Sequence, residues 1–389
     1  MTTIHPGYRV FVLGAGFSRL AGLPLANELY KKVRQNIEFH HGLDTKFHRD
    51  ISNYIEYERA CGRVMFEQDV DLERFMSFLD IEHFLRLRGS DTWSSEGNET
   101  QLMIRRSIGE VIHQHTPIIS SLPDEYFKFA ENISVTDTFI TLNYDTILEQ
   151  LLDYTGKPYR LFPDRYKEVH ATGCVVDSDV KEVVIMKLHG SIDWFHDKAF
   201  LDSQEYLASL GMQPSNRHTV FGNPGRFKVE PLVEGIRPEK DPLAHIHRIR
   251  DVDGFYGQPN RLDAPFILSP SHVKFVYAEP LLDLWYGLGQ LGGYERGISV
   301  IGFSLPEHDE YIRVLLYQII SNYQQSWWED KLFDVLKDDI KFVDFRASEE
   351  SIIQFRKNFS FVDESRAQFF YQGFNEQAVD FLFNPKLPR

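Results

Sequence analysis

The sequence contains very little cysteine: Cys61 and Cys174 are the only two in 389 residues, and they lie far apart. Two distant thiols can form neither a disulfide framework nor a four-thiolate zinc site within one chain. His245 and His247 are two residues apart, but no third metal ligand accompanies them. We therefore predict no metal centre, and the low cysteine content fits a reducing cytoplasm as the expected location.

The sequence also lacks long apolar runs and an excess of basic residues. No run reaches the roughly 18 apolar residues of a membrane span, and the first residues lack the basic and then apolar order of a secretion signal. Asp and Glu number 57 against 42 Lys and Arg, which gives a net charge of -15. We expect a soluble protein that contacts no membrane and binds no nucleic acid directly, although local basic patches stay compatible with this charge.

Short, nearly continuous apolar runs alternate with helical patterns along the chain. This alternation predicts a parallel sheet whose two faces are covered by helices. We predict an α/β protein with a Rossmann-like sheet. The predicted strands are 8–14, 136–143, 181–190, 297–304 and 339–345.

Unequal gaps between these strands indicate insertions. Residues 35–130 have apolar positions at helical spacing and are predicted to form an inserted helical subdomain. Residues 196–265 are rich in proline and are predicted to be mostly loop. On this interpretation 1–34 and 131–389 form one nucleotide-binding domain, and 1–389 is a single unit.

One helix of the insertion begins near a group of acidic residues. Asp69 or Asp71 is a plausible N-cap. Asp71 and Glu73 could form a pair of catalytic carboxylates. Acidic residues in a first helical turn are usually solvated and favoured by the helix dipole, so we interpret them as such.

The stretch VFVLGAGFSRLAGLPLANELYKKV, from Val10 to Val33, places a glycine turn between an apolar run and a helical pattern. Such a turn can aim backbone N–H groups at a phosphate, or it can be an ordinary connection between strand and helix. The dinucleotide-binding fingerprint of dehydrogenases would have a third glycine at position 19, where this chain has Arg19. Both interpretations stay open at this stage.

Polar residues follow three further predicted strands. Asn143 and Asp145 come after the second strand, His189 after the third, and Gly302 and Ser304 after the fourth. The carboxyl ends of parallel strands share one edge, so these residues are expected to meet the glycine turn in a ligand crevice. Taken singly, each motif is more often structural: Asn-Tyr-Asp as a helix cap, a lone histidine as a structural residue, and Gly-Phe-Ser as a turn.

The order of these motifs resembles the sirtuin family. The matching segments are Gly14-Ala15-Gly16-Phe17-Ser18, Asn143-Tyr144-Asp145, His189-Gly190-Ser191 and Gly302-Phe303-Ser304. The Lys-Leu-His-Gly-Ser stretch followed by Trp194 is more similar to the sirtuin-like domains of bacterial antiphage defence proteins. A chain of this size resembles the sirtuin-like partner of a HerA-type ATPase.

The resemblance implies NAD as the ligand and assigns a role to each residue. His189 would act as the base on the attacking water or on a ribose hydroxyl, and Asn143 would hold water or the nicotinamide ribose. Asp145 would bind a ribose hydroxyl or orient neighbouring groups. Arg19 would contact the pyrophosphate or form a surface salt bridge. The remaining expected contacts are Gly14, Ala15, Gly16, Phe17, Ser18 and a helix starting near Gly22 or Leu23 for the pyrophosphate, Gly302 and Ser304 for the adenosine, and Asp344 near the adenine ribose.

Sirtuin deacylases carry a four-cysteine zinc module, which this chain cannot build. Water is then the expected acceptor, and the resemblance implies an NAD hydrolase that acts as an antiviral effector in a homo-oligomer. A protein deacylase, an ADP-ribosyl transferase and a non-catalytic NAD or ADP-ribose sensor are the alternatives. The aromatic segment 361–383 is expected to pack on the sheet domain or to form a subunit interface.

Overall fold

The structure is a computed structural model that describes residues 7–88, 96–213, 218–258, 263–306 and 309–384. Every candidate site residue lies within these ranges. The strands are β1 (Arg9–Leu13), β2 (Thr138–Thr141), β3 (Tyr159–Arg160), β4 (Tyr166–His170), β5 (Gly173–Val176), β6 (Val183–Lys187), β7 (Trp194–His196), β8 (Val229–Pro231), β9 (Ile246–Ile249), β10 (Gly297–Ile301), β11 (Lys331–Leu332), β12 (Val335–Leu336), β13 (Ile340–Val343) and β14 (Ala367–Phe370).

The α-helices of the described residues lie between or after the strands along the chain, and six of them lie between β1 and β2. They are α1 (Ala15–Arg19), α2 (Ala26–His41), α3 (Lys46–Ala60), α4 (Leu72–Phe84), α5 (Glu99–His115), α6 (Asp124–Asn132), α7 (Ile147–Thr155), α8 (Lys198–Ser209), α9 (Val252–Tyr256), α10 (Leu282–Trp285), α11 (Glu310–Gln324), α12 (Glu349–Asn358) and α13 (Glu376–Phe383).

The central sheet has seven strands in the order β14-β13-β10-β1-β2-β6-β3. Every pairing in it is parallel. The predicted α/β class and parallel sheet are therefore confirmed, and the five predicted strands correspond to β1, β2, β6, β10 and β13. The sequence prediction missed both edge strands. β3 has only two residues, and β14 lies within an aromatic stretch without a continuous apolar run.

The central strands are recognisable from sequence because they are buried on both faces. All five residues of β1 are buried, and the Phe11 ring stacks on Phe139 of β2 at 4.9 Å between centroids. Phe129 of α6 meets Phe11 edge-on at 5.6 Å. Apolar side chains on both faces produce the continuous runs seen in the sequence.

The aromatic C-terminal segment packs on the protein's own sheet. It supplies the edge strand β14 and the helix α13. Phe374 lies 4.8 Å from the Phe17 ring, and Phe383 lies 5.8 Å from Phe11. These contacts match the first of the two expectations for this segment, while its role in a subunit interface stays a prediction.

The region between β1 and β2 is helical. Phe47 of α3 and Phe75 of α4 are completely buried and lie 6.2 Å apart. Asp71 is the N-cap of α4, since its carboxylate accepts a hydrogen bond from the Arg74 backbone N–H at 2.9 Å. The predicted cap at Asp71 is thus confirmed. The domain boundaries drawn from the sequence stay a prediction.

The proline-rich region 196–265 contains more regular structure than its composition suggests. β7, β9 and β8 form a three-stranded antiparallel sheet, and α8 spans 12 residues. Trp194 at the start of β7 is fully buried. Strands of three or four residues that pair across long sequence distances give no clear local pattern, so sequence analysis could not find them.

Candidate functional site

A cavity of about 220 Å³ opens at the carboxyl edge of the central sheet. The loops after β1, β2, β6 and β10 line it together with residues from the helical region and from the segment before β10. Eight of the predicted site residues line this cavity: Gly14, Ala15, Ser18, Asn143, Asp145, His189, Gly302 and Ser304. The predicted convergence at one sheet edge is therefore present, whereas Gly16, Phe17, Arg19 and Asp344 are not part of this lining.

The glycine turn after β1 is packed against the turn after β10. A Cβ atom on Gly16 would lie 2.6 Å from the Gly302 Cα, and one on Gly302 would lie 2.2 Å from the Phe17 nitrogen. Gly302 also has a positive φ of 64°, which favours glycine. These glycines are thus required for the contact between two turns of the protein itself.

The backbone N–H groups of this turn are largely used within the protein. The Gly14 N–H donates to the Ile301 carbonyl and the Gly16 N–H to the Gly302 carbonyl, both at 2.9 Å. The expected helix start near Gly22 or Leu23 is wrong. A short helix, α1, begins at Ala15 directly after the turn, and the next helix, α2, begins at Ala26. Gly22, with a φ of 93°, lies in the non-helical turn between the two helices.

Ser18, Asn143 and Asp145 form one hydrogen-bonded group below the turn. The Ser18 hydroxyl donates to Asp145 Oδ2 at 2.7 Å. Asn143 Nδ2 donates to the Gly14 carbonyl at 3.0 Å and to Ser18 Oγ at 3.1 Å. Because a carbonyl only accepts, the amide nitrogen of Asn143 must face Gly14, and Oδ1 is left to accept a hydrogen bond from a ligand.

Asp145 is held on both carboxylate oxygens. Its Oδ1 accepts from the Ile147 N–H at 3.1 Å at the start of α7, while Oδ2 accepts from Ser18. Below it, buried Lys187 bonds to the Asp145 backbone carbonyl and pairs with Glu149 at 2.8 Å. Asp145 therefore orders the strand ends in this state. We call Gly14, Ser18, Asn143, Asp145 and Gly302 the glycine end of the cavity.

His189 lies two residues past β6 and is only 6% exposed. Its Nε2 is 2.7 Å from the Tyr311 hydroxyl, and the tautomer of the ring decides which of the two groups donates. The Leu142 backbone favours the protonated ring, although burial outweighs this effect. Tyr311 therefore occupies Nε2 of His189 in the structure.

Burial lowers the pKa of His189 well below its ordinary value of 6.5, and the nearby positive charge of Lys274 lowers it further. The imidazole is thus neutral at neutral pH. A neutral imidazole with an acceptor nitrogen is the form that a general base needs.

Three further residues around His189 were not identified from the sequence: Lys274, Asp309 and Tyr311. Lys274 Nζ lies 3.2 Å from Asp309 Oδ1 in a pair whose side chains are 5% and 9% exposed. Lys274 also lies 5.6 Å from the centre of the Tyr311 ring. Asp309 and Tyr311 follow the predicted strand 297–304 within a few residues. Their position after a strand end could therefore have identified them as candidate site residues.

Lys274 reaches the site through the segment 266–274, which is bonded to the loop of His189. The Leu268 N–H donates to the His189 carbonyl at 2.9 Å, and the Tyr144 hydroxyl donates to the Leu268 carbonyl at 2.7 Å. A Cβ on Gly190 would lie 2.2 Å from the Phe266 carbonyl oxygen, so glycine permits this close approach. No sequence signal marks Lys274, because it follows none of the predicted strands.

Glu73 of α4 also lines the cavity. Its side chain is 24% exposed, and its Oε2 lies 3.9 Å from His272 Nε2. The sequence interpretation of Asp71 and Glu73 as solvated residues of a first turn fits the N-cap Asp71, whereas Glu73 faces the cavity. We call Glu73, His189, Lys274, Asp309 and Tyr311 the histidine end.

Three predicted contact residues have other partners. Arg19 binds Glu28 through both terminal nitrogens at 2.7 and 3.0 Å on the surface, which is the second of its two expected roles. Phe17 is 1% exposed and packs in the core. The Asp344 carboxylate accepts from Arg346 at 2.7 Å.

Within the described ranges, no group of three or more His, Cys, Asp or Glu side chains is arranged to hold a metal ion. Among the helices of the same ranges, none combines the length and apolar character of a membrane span.

Comparison with known proteins bears on the middle of the chain. A sequence model of the SIR2-like domain family matches residues 137–222, a range that includes Asn143, Asp145 and His189. This match supports the resemblance to sirtuins over that range. A search of curated proteins gives no match.

Solved structures of sirtuins align over most of the chain at low similarity. One, from work on the structural basis of sirtuin substrate affinity, has 13% identity and a TM-score of 0.33, and covers 96% of this chain and 92% of its own. Another, Sir2Tm bound to a propionylated peptide, has 11% identity and a TM-score of 0.29, and covers 96% of this chain and 91% of its own. The fold described above rests on this chain's own strand order.

Proposed function

We propose that the protein is an NAD hydrolase that cleaves the bond between nicotinamide and ribose and releases nicotinamide and ADP-ribose. The observation that carries this proposal is the meeting of His189 and Asn143 in one cavity at the carboxyl edge of the sheet. Both residues lie in the range that matches the SIR2-like domain. An imidazole and an amide that line the same cavity suit a reaction that needs a base and an oriented water.

The leaving group in this reaction is a cationic pyridinium, so its departure as neutral nicotinamide needs no general acid. The sugar passes through an oxocarbenium-like state. Asn143 Oδ1 accepts a hydrogen bond from the attacking water or from a ribose hydroxyl. His189 Nε2 takes the proton that the water loses, and the new C–O bond completes ADP-ribose.

The glycine end would hold the rest of the substrate. Ala15, Ser18, Gly302 and Ser304 line the wall along which the pyrophosphate and adenosine would extend. The N–H groups of Gly14 and Gly16 already donate within the protein, so they would position the turn instead of binding phosphate directly. Three residues expected to contact NAD would instead have structural roles outside the cavity: Arg19, Phe17 and Asp344.

His189 is blocked in the structure described, because Tyr311 occupies Nε2. Catalysis needs this bond to be exchanged for one to substrate or water. An isolated chain would then be weakly active, as suits a cytoplasmic enzyme that destroys a central cofactor. A partner that prefers the exchanged state would raise activity at least about tenfold, which corresponds to about 1.4 kcal/mol of differential affinity.

The partner we propose is a HerA-type ATPase, with the protein itself as a homo-oligomer and NAD depletion as its antiviral effect. This part rests on the motif resemblance. Its test is NAD loss measured for the protein alone and after addition of the ATPase, together with the mass of the assembly. A lone chain that is fully active and unchanged by the ATPase would contradict it.

One observation favours a second candidate, a non-catalytic sensor of NAD or ADP-ribose. Tyr311 occupies Nε2 of His189, so a ligand could be bound without being cleaved. A protein modifier of the deacylase or transferase type has no comparable support in the geometry.

A time course of NAD followed by mass spectrometry separates these functions. Wild type, His189→Ala, Asn143→Ala and the control His170→Ala would be incubated with NAD, with and without an acetylated peptide. His170 is a surface residue whose side chain is 58% exposed, so its loss tests for non-specific effects. Hydrolysis is expected in wild type and His170→Ala, and a loss of about 100-fold or more is expected in the other two.

Three results would count against the proposal. Equal turnover in folded His189→Ala would remove the mechanism. Binding of NAD without turnover, even with the partner, would favour the sensor. Product that forms only with the peptide would favour a protein modifier.

A further inference from the structure

The first turn of α4 brings a carboxylate from the helical region into the cavity. Glu73 and His189 line the same space, although they are far apart in sequence. The flanking residues Leu72 and Phe75 are buried. The helix is thus fixed in place by its apolar side while Glu73 faces the site.

A second contact holds α4 against the segment that carries Lys274. The His272 N–H donates to Ser77 Oγ at 2.8 Å, and Ser271 Oγ lies 3.4 Å from the same oxygen. Glu73 and Lys274 therefore reach the cavity from two elements that are bonded to each other. These hydrogen bonds fix the position of Glu73 relative to Lys274.

The charge of Glu73 acts at the histidine end. Burial and then the Glu73 carboxylate raise the pKa of Tyr144, and burial, Asp309, Tyr144 and Glu73 raise the pKa of Tyr311. These two rings flank His189, with centroids 6.4 and 6.1 Å from it. Glu73, Tyr144 and His189 also line the same cavity, so the carboxylate shares this space with the imidazole.

The charges of this end suit a cation. Glu73 and Asp309 contribute two carboxylates, and Lys274, which is paired with Asp309 at 3.2 Å, contributes one ammonium group. His272 Nε2 lies 3.9 Å from Glu73 and adds a charge only when it is protonated. The nicotinamide ring of NAD carries one positive charge, and that charge moves to the ribose in the oxocarbenium-like state. A carboxylate close to this position attracts the substrate and stabilises the charge as it develops.

We propose that Glu73 recognises the positive charge of the nicotinamide ring and thereby makes the site selective for oxidised NAD over NADH, whose ring is uncharged. This inference rests on the proposed function for the identity of the ligand. It assigns a role in substrate selectivity to a residue of α4, so the helical region between β1 and β2 would form part of the binding site.

The test compares the binding of NAD, NADH and ADP-ribose by calorimetry in the full chain, with and without His189→Ala to prevent turnover. Glu73→Gln removes the charge at nearly constant size, and Glu73→Asp keeps it. Glu56→Gln is the matched control, because Glu56 is an exposed glutamate on α3 of the same region. Circular dichroism and melting curves check that each variant is folded.

We expect the unsubstituted cavity to prefer NAD over NADH by about tenfold, the size of one partly screened charge interaction. Glu73→Gln should abolish this preference and leave ADP-ribose affinity unchanged, because ADP-ribose lacks the cation. Glu73→Asp should restore most of the preference, and Glu56→Gln should keep it. In otherwise wild-type protein, Glu73→Gln should lower kcat/KM for NAD about tenfold.

A preference that persists in Glu73→Gln would overturn the inference, and so would an equal loss of affinity for all three ligands. Absence of any preference in the unsubstituted cavity would overturn it as well. If NAD is bound selectively through Glu73 but never cleaved, the inference stands and the proposed hydrolase function fails. If NAD is cleaved and Glu73→Gln has no effect, the hydrolase function stands and the inference about Glu73 fails.

Discussion

The two ends of the cavity are built in different ways. At the glycine end, the turn after β1 packs backbone against backbone on the turn after β10, and Ser18, Asn143 and Asp145 bond to each other. At the histidine end, charged and aromatic side chains arrive from separate parts of the chain around one imidazole.

Because of this difference, we regard the glycine end of the cavity as fixed and the histidine end as adjustable. Close backbone contacts and paired hydrogen bonds leave the glycine end a single arrangement. The histidine end depends on the docking of α4 and of segment 266–274, so movement of either segment changes the charge around His189. We therefore expect selectivity and control of the proposed reaction to lie at the histidine end.

The largest effect should follow from a substitution at the fixed end. Gly302→Ala places a Cβ 2.2 Å from the Phe17 nitrogen at a φ of 64°. Backbone strain and overpacking together should lower the free energy of unfolding by about 3 kcal/mol. Urea titration of wild type and variant measures this.

Gly293→Ala is the control for that experiment. Gly293 has no atom within 4 Å of the added Cβ and no positive φ, so its stability should change by less than about 1 kcal/mol. Equal losses in both variants would mean that the contact between the turns contributes little.

Much of the fixed end could be predicted from the sequence. β1, β2, β6, β10 and β13 are buried on both faces and give continuous apolar runs, and the carboxyl ends of parallel strands must share one edge. The meeting of Asn143, Asp145 and His189 follows from these two facts. The short edge strands and the small antiparallel sheet lack this signal.

The histidine end could be predicted only in part. Glu73 and Lys274 enter through tertiary packing of α4 and of segment 266–274, which no local pattern records. The roles of Ser18 and Gly16 were also ambiguous. The sequence does not tell whether the Ser18 hydroxyl and the Gly16 backbone bind a ligand or contact a neighbouring part of the protein. In the structure both serve the protein itself.

At the adjustable end, Tyr311→Phe tests whether the phenol blocks the base. The substitution removes the hydroxyl that lies 2.7 Å from His189 Nε2, so this nitrogen becomes available to substrate. NAD hydrolysis by the isolated protein should rise about tenfold, while the free energy of unfolding should fall by about 1 kcal/mol for the lost hydrogen bond. Steady-state rates and urea titration measure the two effects.

Tyr317→Phe is the matched control, because Tyr317 lies on the same helix and is 52% exposed. It should change neither quantity. A fall in activity for Tyr311→Phe would mean that the hydroxyl takes part in catalysis.

The pH dependence of activity reports on the charge around His189. Burial and Lys274 lower the pKa of His189 well below 6.5, so kcat/KM should stay constant as the pH falls through 6.5. Lys274→Met removes the positive charge that lowers the pKa of His189, so it should move the acid limb to higher pH. The Lys128 side chain is 35% exposed and pairs with Glu376 and Asp380, so Lys128→Met should leave the limb unchanged.

The same shift affects stability with a defined sign. The unfolded chain takes up the His189 proton below pH 6.5 while the folded chain does not, so this residue lowers stability as the pH falls. Rates must therefore be measured where melting curves show folded protein. An acid limb at pH 6.5 in wild type would contradict the neutral, buried imidazole.

The smallest effect is expected for Arg19, which lies beside the glycine end but outside the cavity. Its guanidinium pairs with Glu28 at 2.7 Å, and the two side chains are 49% and 37% exposed. An exposed pair of this kind contributes about 0.2 to 1 kcal/mol, so Arg19→Ala should change stability by less than 1 kcal/mol and should leave NAD affinity within about twofold. Glu28→Gln breaks the same pair without removing the guanidinium and should behave alike. If Arg19→Ala weakens NAD binding about tenfold while Glu28→Gln does not, the guanidinium leaves Glu28 to bind the pyrophosphate, and the glycine end is then also adjustable.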